Sequence, residues 1–415
     1  MEKSKAETML SELYSEYEKI KNKGLSLDMS RGKPCKEQLD LSNEMLGVLS
    51  KDDFNTKPDL RNYGIIDGIP EMKKLFAELL SVKPENVIVG GNSSLNLMYD
   101  TLARCMLYGN GSTPWCREEK VKFIAPVPGY DRHFAICESL GIEMINVEMT
   151  DEGPDMDAVE KLVASDRSIK GMWNVPKYSN PGGVVYSEKT VKRLASMKCA
   201  ADDFLLMWDN AYCIHALYGE PAYIPEIVSE CEKAGNKNRV IEFVSTSKMS
   251  FPGAGISAIV TSEENVARIK KIMSAQTIGH DKINQLRHVK FFKNADGLKN
   301  HMKKHAEIIR PKFELVLKML SENLGDVENV RWSKPQGGYF ISFYVPDGCA
   351  KRTVSLCKEA GVTLTGAGAA FPYGKDEHDS NIRIAPTLPP ISELEEAMKV
   401  LCLCTKIAAL EKLLS

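Results

Sequence analysis

A single lysine, Lys248, closes the segment EFVSTSK and stands between a strand-like apolar run and the Pro-Gly turn that follows. Neither a helical repeat nor the spacing of a salt bridge explains a lysine here. Lysine is ordinarily solvated, but an amine held at the end of a buried strand can form a Schiff base with a carbonyl compound.

Other apolar runs also end in groups that bind or react. The run NVIVG at 86–90 is followed by GGNSSLNL, a Gly-rich turn that opens a helix and suits a phosphate group. Taken singly, each such group has a plain explanation as a helix cap or a turn former. The three further runs end in an aromatic, an amide and a carboxylate followed by a tyrosine: Tyr130, Asn180, Asp209 and Tyr212.

Pyridoxal 5'-phosphate chemistry requires the whole set. It uses a lysine for the Schiff base, a cradle for the phosphate, an aromatic over the ring and a carboxylate at the pyridine nitrogen. A carboxylate such as Asp209 beside that nitrogen would keep it protonated and make the ring an electron sink. Such a pair is worth about 4 kcal/mol at ~4 Å and an effective dielectric of ~20.

The elements that must position these groups follow from the pattern of the chain. Short runs that are apolar throughout and bounded by Gly, Pro or Asn indicate buried parallel strands. Alternation of such runs with helical stretches predicts an α/β domain with an open sheet, whose ligands bind beyond the carboxyl ends of the strands. The predicted strands are 86–90, 122–126, 172–176, 204–209, 240–244 and 256–260.

Three regions are predicted along the 415 residues. Residues 1–45 form an N-terminal arm, with a helix over 5–22, and part of a small domain. Residues 46–300 form the large cofactor-binding domain. Residues 301–415 form a smaller α+β domain that ends in a helix over 391–414.

Composition excludes several classes of protein. The net charge is −2, which favours neither nucleic acid nor a bilayer as a partner, and the N-terminus lacks an apolar signal segment. We therefore predict a cytoplasmic protein. The 11 cysteines include no Cys-x-x-Cys pair, which favours reduced thiols. His301 and His305 lie one helical turn apart, but without an acidic ligand we expect a solvated helix face and no metal site.

Several segments together resemble one known family. They are YGIIDGIPEMKKLF, SNPGG, WDNAY, STSK, KPQGGYF and NIRIAPTLP. The chain is similar to the fold-type I, class I/II aminotransferases, and most of all to the aspartate aminotransferase-like branch related to the catalytic domains of MocR regulators. The resemblance implies a mostly parallel seven-stranded sheet between helices, a smaller α+β domain, and a ping-pong transaminase that acts on an amino acid and a 2-oxoacid.

The resemblance also implies roles for individual residues. Lys248 forms the Schiff base and moves a proton, and Asp209 pairs with the pyridine nitrogen. Asn180 and Tyr212 hydrogen-bond the ring oxygen, and Tyr130 stacks on the ring. The catalytic residues would be Lys248, Asp209 and Tyr212. The implied phosphate ligands are Asn92, Ser93, Ser94, Ser245 and Ser247.

Substrate and partner contacts are implied in the same way. Arg383, with Asn180, would hold the substrate α-carboxylate in a bidentate fork. Tyr63 matches the tyrosine that reaches the phosphate of a neighbouring subunit, which implies a homodimer with shared active sites. A dicarboxylic donor of the aspartate or glutamate type, with 2-oxoglutarate as acceptor, needs a second cation. The candidates are Arg31, Lys33, Lys282 and Arg287.

One departure from the family concerns the phosphate. The arginine expected eight residues after the lysine is replaced by Ile256, so the phosphate must be held by hydroxyls, backbone N–H groups and a cation from elsewhere. Other interpretations stay open. A β-lyase or decarboxylase would use the same Lys248 and Asp209, and a non-catalytic ligand-sensing domain would share the fold. A nicotinamide dehydrogenase would use GAGAAF at 366–371 as its dinucleotide turn. We expect Cys213, beside Tyr212, to be a buried thiol.

Overall fold

Thirteen β-strands in three sheets are present in the computed structural model, which describes residues 3–415. In chain order they are β1 Leu27–Asp28, β2 Val87–Val89, β3 Lys122–Val127, β4 Glu143–Thr150, β5 Gly153–Pro154, β6 Ile169–Asn174, β7 Leu205–Asp209, β8 Val240–Ser245, β9 Ser257–Val260, β10 Arg331–Trp332, β11 Ile341–Tyr344, β12 Val362–Thr363 and β13 Asn381–Ile384.

Thirteen α-helices within the same residues cover the sheets and connect them. They are α1 Lys3–Lys21, α2 Lys36–Asp40, α3 Pro70–Leu80, α4 Ser94–Tyr108, α5 Asp131–Ser139, α6 Met156–Ser165, α7 Glu188–Ser196, α8 Ile227–Lys233, α9 Glu263–Met273, α10 Lys282–Phe292, α11 Ala295–Leu324, α12 Ala350–Glu359 and α13 Ile391–Leu414. Short 3₁₀ helices occur at Asn43–Gly47, Lys51–Phe54, Pro84–Asn86, Trp115–Arg117, Pro252–Ala254 and Pro372–Gly374.

The largest sheet has eight strands in the order β2-β9-β8-β7-β6-β3-β4-β5. Strands β4, β3, β6, β7 and β8 pair in parallel. Strand β9 pairs antiparallel with both β8 and β2, so β2 runs in the same direction as β8. Six strands therefore share one direction, and the prediction of an α/β fold with a mainly parallel sheet is confirmed.

All six predicted strands are present, but one direction is wrong. The run at 256–260 was expected to be parallel, and β9 is antiparallel to both of its neighbours. All four of its residues are buried. A strand with both faces buried is apolar throughout, whether it runs parallel or antiparallel to its neighbours. The sequence pattern alone therefore does not give the direction of the strand.

The sheet has eight strands where seven are expected, and β4 and β5 are absent from the apolar runs. Strand β4 mixes exposed and buried positions, and only two of its eight residues, Met144 and Val147, are buried. Strand β5 has two residues and pairs antiparallel with β4 at the edge of the sheet. An edge strand that is half in water lacks the continuous apolar run of a central strand.

Central strands of this sheet bury both of their faces. On β7 and β8, Leu205, Met207, Ile241 and Phe243 belong to one apolar core, while Leu206, Trp208, Val240 and Val244 belong to a second core on the opposite face. Each such side chain contributes about 1.5–3 kcal/mol when fully buried. Because side chains alternate along a strand, Glu242 lies on the face of Val240 and Val244.

The smaller unit has the predicted α+β composition. Its three-stranded antiparallel sheet has the order β10-β11-β13 and packs with α12 and α13. Strand β1 pairs in parallel with β12, through Leu27 with Val362. This pairing brings the N-terminal arm to the small unit, where Tyr17 and Met29 join its core.

Helix α11 connects the two units. Leu298 and Met302 in its first part join the core of the large unit, whereas Ile309 and Phe313 in its second part join the core of the small unit. The predicted boundary at 300/301 falls inside this helix. The three-region division stays a prediction.

The expectation of a solvated face at His301 and His305 is wrong. Both imidazoles are buried, because α11 lies between the two cores. Their Nε2 atoms are 3.1 Å apart, and His301 Nε2 lies 3.2 Å from Ser42 Oγ. His305 Nδ1 lies 3.0 Å from Gln38 Nε2, which also donates to the Tyr339 hydroxyl at 2.9 Å. The pair thus joins the N-terminal arm to the connecting helix.

No helix among the described residues is both long enough and apolar enough to cross a membrane.

A buried ion pair ties the start of β6 to the segment just before β7. Lys170 Nζ lies 3.0 Å from Asp203 Oδ1, and both side chains are buried. We expect Lys170→Met to lower the free energy of unfolding by about 3 kcal/mol, because it leaves a buried carboxylate without its cation. The shift of the urea midpoint measures the loss. Lys122→Met, which breaks the more exposed pair between Lys122 on β3 and Asp166, should cost much less. Equal losses would contradict the assignment.

Candidate active site

A cavity of about 600 Å³ opens where the parallel strands end, between the large sheet and the small unit. The common direction of β2, β3, β6, β7 and β8 brings their carboxyl ends to this one edge. Most of the predicted site residues line the cavity: Arg31, Lys33, Ser93, Ser94, Tyr130, Asn180, Asp209, Tyr212, Ser245, Ser247, Lys248 and Arg383.

Lys248 lies just beyond β8, with its amine inside the cavity. The Nζ atom is 4.9 Å from the centre of the Tyr212 ring and 6.0 Å from that of Tyr339. Burial lowers the pKa of Lys248 below its ordinary value, although the charge of Asp209 opposes this effect. A larger share of the amine is therefore unprotonated at neutral pH than in a solvated lysine, which suits a nucleophile or a base.

Asp209, the last residue of β7, presents one satisfied and one free oxygen. Its Oδ2 lies 2.9 Å from His133 Nε2, and the His133 ring stacks on Trp173 at 4.2 Å with an interplanar angle of 4°. Its Oδ1 is buried and has no hydrogen-bond partner in the described residues. Leaving a buried carboxylate oxygen unpaired is costly. Asp209 Oδ1 is therefore placed to accept a hydrogen bond from a bound molecule.

Two tyrosines flank Asp209 and Lys248. Burial raises the pKa of Tyr130 to about 12, with smaller contributions from Asp209 and Asp131. Burial also raises the pKa of Tyr212 well above its ordinary value. Both phenols therefore stay protonated at neutral pH and can donate hydrogen bonds to an oxygen atom in the cavity.

Arg383, on β13 of the small unit, is buried and faces the large domain. Its Nη1 donates to Asp131 Oδ1 at 2.8 Å and to Asn180 Oδ1 at 3.3 Å, while Nη2 lies 3.4 Å from Thr365 Oγ1. Its Nε has no partner among residues 3–415. The guanidinium thus has donor capacity to spare for a carboxylate.

The Ser93–Ser94 turn lies at the first turn of α4, with both serines on the cavity wall. Ser93 is the N-cap residue, but its side chain makes no capping hydrogen bond, so the N–H groups of the first turn remain open to an anion. Ile256, at the position of the missing arginine, is buried in the apolar core. No cation reaches the cavity from that position.

Four of the predicted residues do not line this cavity within the described chain. The Asn92 amide donates to the carbonyl of Pro252 at 3.4 Å. Lys282 is buried at the start of α10, and Arg287 bonds to Asn284 on the same helix. Tyr63 is 83% exposed. For these residues the predicted roles stay predictions.

Three polar residues at the site were not predicted from the sequence. Tyr130 is the N-cap of α5, and the next three residues, Asp131, Arg132 and His133, lie in the first turn of that helix. Asp131 binds Arg383, Arg132 lines the cavity, and His133 contacts Asp209. Their position is the available signal, because they follow directly on the strand end that presents Tyr130.

One alternative ligand site fails on structural grounds. A dinucleotide fingerprint requires a helix whose N-terminus meets the pyrophosphate. The segment 366–371 forms turns and leads only to the short 3₁₀ helix Pro372–Gly374. It therefore cannot serve as a dinucleotide turn.

Known proteins resemble this chain in both sequence and structure. A family model described as aspartate amino-transferase matches residues 1–415. A putative aminotransferase from Mycolicibacterium smegmatis is 48% identical over 406 residues, which cover 96% of this chain and 94% of that protein.

Solved structures agree with the sequence comparison. An aspartate transaminase from Corynebacterium glutamicum superposes with a TM-score of 0.97 at 44% identity, covering 99% of this chain and 98% of that one. An alpha-aminoadipate aminotransferase from Thermus thermophilus, complexed with N-(5'-phosphopyridoxyl)-L-leucine, shares the fold with a TM-score of 0.76 at 20% identity, covering 94% and 93%.

The lowered pKa of Lys248 can be tested by its reactivity. We expect formaldehyde with cyanoborohydride, at neutral pH and on protein stripped of small molecules, to methylate Lys248 faster than Lys33, an exposed lysine of the same cavity. Asp209→Asn should speed the reaction further, because the charge of Asp209 raises the pKa of Lys248. Peptide mass spectrometry gives both rates. Slower methylation of Lys248 than of Lys33 in both proteins would contradict this account.

Proposed function

Because the chain belongs to the aspartate aminotransferase family and is a transaminase, we propose that it uses pyridoxal 5'-phosphate to transfer the amino group of an aspartate- or glutamate-type amino acid. The acceptor is a 2-oxoacid such as 2-oxoglutarate, and the two half-reactions give ping-pong kinetics. The observation that carries this proposal is the buried, unpartnered Oδ1 of Asp209 in the same cavity as the Lys248 amine.

The residues present fit this cofactor. The Asp209 oxygen lacks a donor, and a protonated pyridine nitrogen supplies one. The open first turn of α4 suits a phosphate, together with the hydroxyls of Ser93, Ser94, Ser245 and Ser247. Tyr130 offers an aromatic face, and Tyr212 with Asn180 offers donors for a ring oxygen. The cofactor, when bound, supplies an electron sink for the carbanion formed at the substrate Cα.

Proton transfer belongs to Lys248. Its amine, with a pKa lowered by burial, removes the proton from the substrate Cα and holds it at Nζ for the next transfer. The Tyr212 hydroxyl stays protonated and would donate a hydrogen bond to the ring oxygen of a bound cofactor. The hydrogen bond from His133 to Asp209 Oδ2 leaves Oδ1 aimed into the cavity.

Arg383 holds the substrate α-carboxylate, and Asp131 competes for the same guanidinium. The Arg383–Asp131 contact at 2.8 Å occupies Nη1. Binding a carboxylate must therefore displace or share this contact. Asp131 therefore weakens the hold of Arg383 on a substrate carboxylate.

Removing that competitor should strengthen substrate binding. We expect Asp131→Asn to lower the KM for the amino donor about 10-fold with little change in kcat, since a charge-assisted hydrogen bond is worth about 1.5–3 kcal/mol. Initial-rate kinetics measures both constants. Asp151→Asn, at an exposed turn outside the cavity, serves as the control and should change neither. A higher KM in Asp131→Asn would show that Asp131 assists binding instead.

Cations other than Lys248 and Arg383 reach the cavity from two sides. Arg31 and Lys33 come from the N-terminal arm, and Arg132 comes from α5. Arg132 also borders a groove between α4 and α5 that includes Leu95 and Asn96 in the first turn of α4. We assign Arg132 to the phosphate, in place of the arginine replaced by Ile256, and Arg31 with Lys33 to the distal carboxylate.

Donor preference tests the dicarboxylate assignment. We expect Arg31→Gln and Lys33→Gln to lower kcat/KM for aspartate and glutamate about 10-fold and to leave that for alanine unchanged, because alanine has no distal carboxylate. Arg132→Gln should weaken cofactor binding whichever amino donor is used. The absorption of the bound cofactor measures this loss. Better turnover of leucine or phenylalanine than of aspartate or glutamate by the wild type would overturn the assignment.

The cofactor itself is tested by the absorption spectrum of purified protein. The near-ultraviolet and visible band of a bound Schiff base should be present in the wild type and absent in Lys248→Ala. Product analysis with each accepted amino acid then separates transamination from β-elimination or decarboxylation. An unchanged spectrum in Lys248→Ala would refute the proposed role of this lysine.

We further propose a cytoplasmic homodimer with shared active sites. Tyr63 is 83% exposed and outside the cavity of its own chain. An aromatic this exposed, on a segment that resembles a subunit-bridging loop, is suited to reach the phosphate of a partner. Sedimentation of the purified protein gives the oligomeric state directly.

A further inference from the structure

A second cavity, of about 370 Å³, lies behind the active site. The residues of 209–214 form a wall between the two. Asp209, Ala211 and Tyr212 line the active-site cavity, whereas Asn210, Cys213 and Ile214 line the second one. The proposed reaction uses no group that faces this second cavity.

Two buried acceptor atoms in the second cavity lack donors. Glu242, on β8, is 2% exposed, and its Oε1 accepts from Asn210 Nδ2 at 2.7 Å. Its Oε2 has no partner within residues 3–415, and neither has Oδ1 of Asn210, which is 6% exposed. A buried polar atom without a partner is costly, and here two such atoms belong to adjoining side chains.

An amine with unused donors lines the same cavity. Lys177 Nζ donates to the carbonyl of Cys213 at 3.1 Å, which uses one of its three N–H groups. Burial lowers the pKa of Lys177, while Glu242 opposes this shift. Burial, followed by the charge of Glu226, raises the pKa of Glu242 to about 8, and Asn210 and Lys177 oppose that shift.

Other charged groups of the cavity are already engaged. The Glu226 carboxylate caps α8 by accepting from the N–H groups of Val228 and Ser229. Glu220 pairs with Lys303 at 2.7 Å, and Lys299 lies 3.8 Å from Asp296. The Lys299 side chain is 42% exposed, so the two acceptors and the Lys177 amine are the more buried groups left to bind a ligand. The rest of the wall is largely apolar: Leu79, Leu80, Trp208, Ile214, Ile224 and Ile227.

We propose that this cavity is a second binding site, for a free α-amino acid with an apolar side chain. The ligand's ammonium group donates to Glu242 Oε2 and Asn210 Oδ1, its carboxylate accepts from Lys177, and its side chain packs on the apolar wall. A cavity of this volume is in the range of small-molecule sites. The proposal does not depend on the cofactor or on the donor of the transamination.

Charge chemistry distinguishes this ligand from its competitors. A cationic ligand without a carboxylate would place its charge near the Lys177 amine and would carry no negative group to offset the repulsion. An anion would meet the Glu242 oxygen, and a neutral apolar molecule would leave both acceptors unpaired. A zwitterion satisfies all three groups at once. Because Glu242 and Asn210 adjoin Asp209 and Tyr212 across one wall, occupancy of this site bears on the geometry of the active site.

The test uses a ligand that cannot react at Lys248. N-methyl-L-leucine keeps two ammonium N–H groups, a carboxylate and an apolar side chain, but as a secondary amine it forms no neutral imine with an aldehyde. Calorimetric titration of the holoenzyme measures its binding, with intrinsic tryptophan fluorescence as a second signal because Trp208 lines the cavity. We expect saturable binding that releases protons near neutral pH, since an ammonium partner favours the ionised form of Glu242.

Matched variants locate that binding. Glu242→Gln, which keeps the shape and the bond from Asn210, and Lys177→Gln should each weaken binding about 10-fold or more. Arg383→Lys, which impairs the active-site carboxylate fork, should leave it unchanged. The proposal is overturned if the wild type shows no saturable binding at millimolar ligand, if both cavity variants bind normally, or if Arg383→Lys abolishes binding. Glu242→Gln and Lys177→Gln must retain the circular dichroism and urea midpoint of the wild type. If one does not, the other carries the test.

Discussion

The common direction of five strands is the constraint on which the rest of this structure depends. Strands β2, β3, β6, β7 and β8 all end at one edge of the sheet, so each can deliver one group to a single cavity. Their residues are distant in sequence, from Ser93 to Lys248. Only the parallel pairing, with helices packed on both faces of the sheet, makes these strand ends neighbours. Strand β9 is antiparallel and leaves this arrangement intact. It lies between β8 and β2 and contributes no side chain to the cavity.

Burial gives these groups their chemistry. Lys248 would be a protonated ammonium in water, and the cavity makes its neutral form more accessible. Asp209 keeps one oxygen bonded to His133 and the other free. Stability alone would pair that second oxygen, so the arrangement makes sense as preparation for a ligand. The unpaired oxygens of Glu242 and Asn210, on the other side of the segment 209–214, are a second case of buried acceptors without donors.

The small unit completes the site from the opposite side. Arg383 on β13, together with Arg31 and Lys33 from the arm, faces groups of the large domain across the cavity. Helix α11 joins both cores, and the buried His301 and His305 tie this helix to residues of the N-terminal arm. The site therefore depends on how two separately packed cores are held together, by apolar contacts of α11 and by polar groups with defined partners.

The sequence by itself determined the fold class, the family, the six apolar strands and the residues at five strand ends, because local composition and short motifs carry that information. It did not determine the polarity of β9 or the presence of β4, since an apolar run has no direction and a half-buried edge strand has a weak pattern. It did not reveal Asp131 or Arg132 as parts of the cavity, His133 as the partner of Asp209, or the burial of His301 and His305. Those properties arise when distant segments pack together, and a contact between distant segments leaves no local mark on either one. The tertiary structure alone decided them, along with the free oxygen of Asp209, because hydrogen-bond partners and desolvation exist only after the chain has folded.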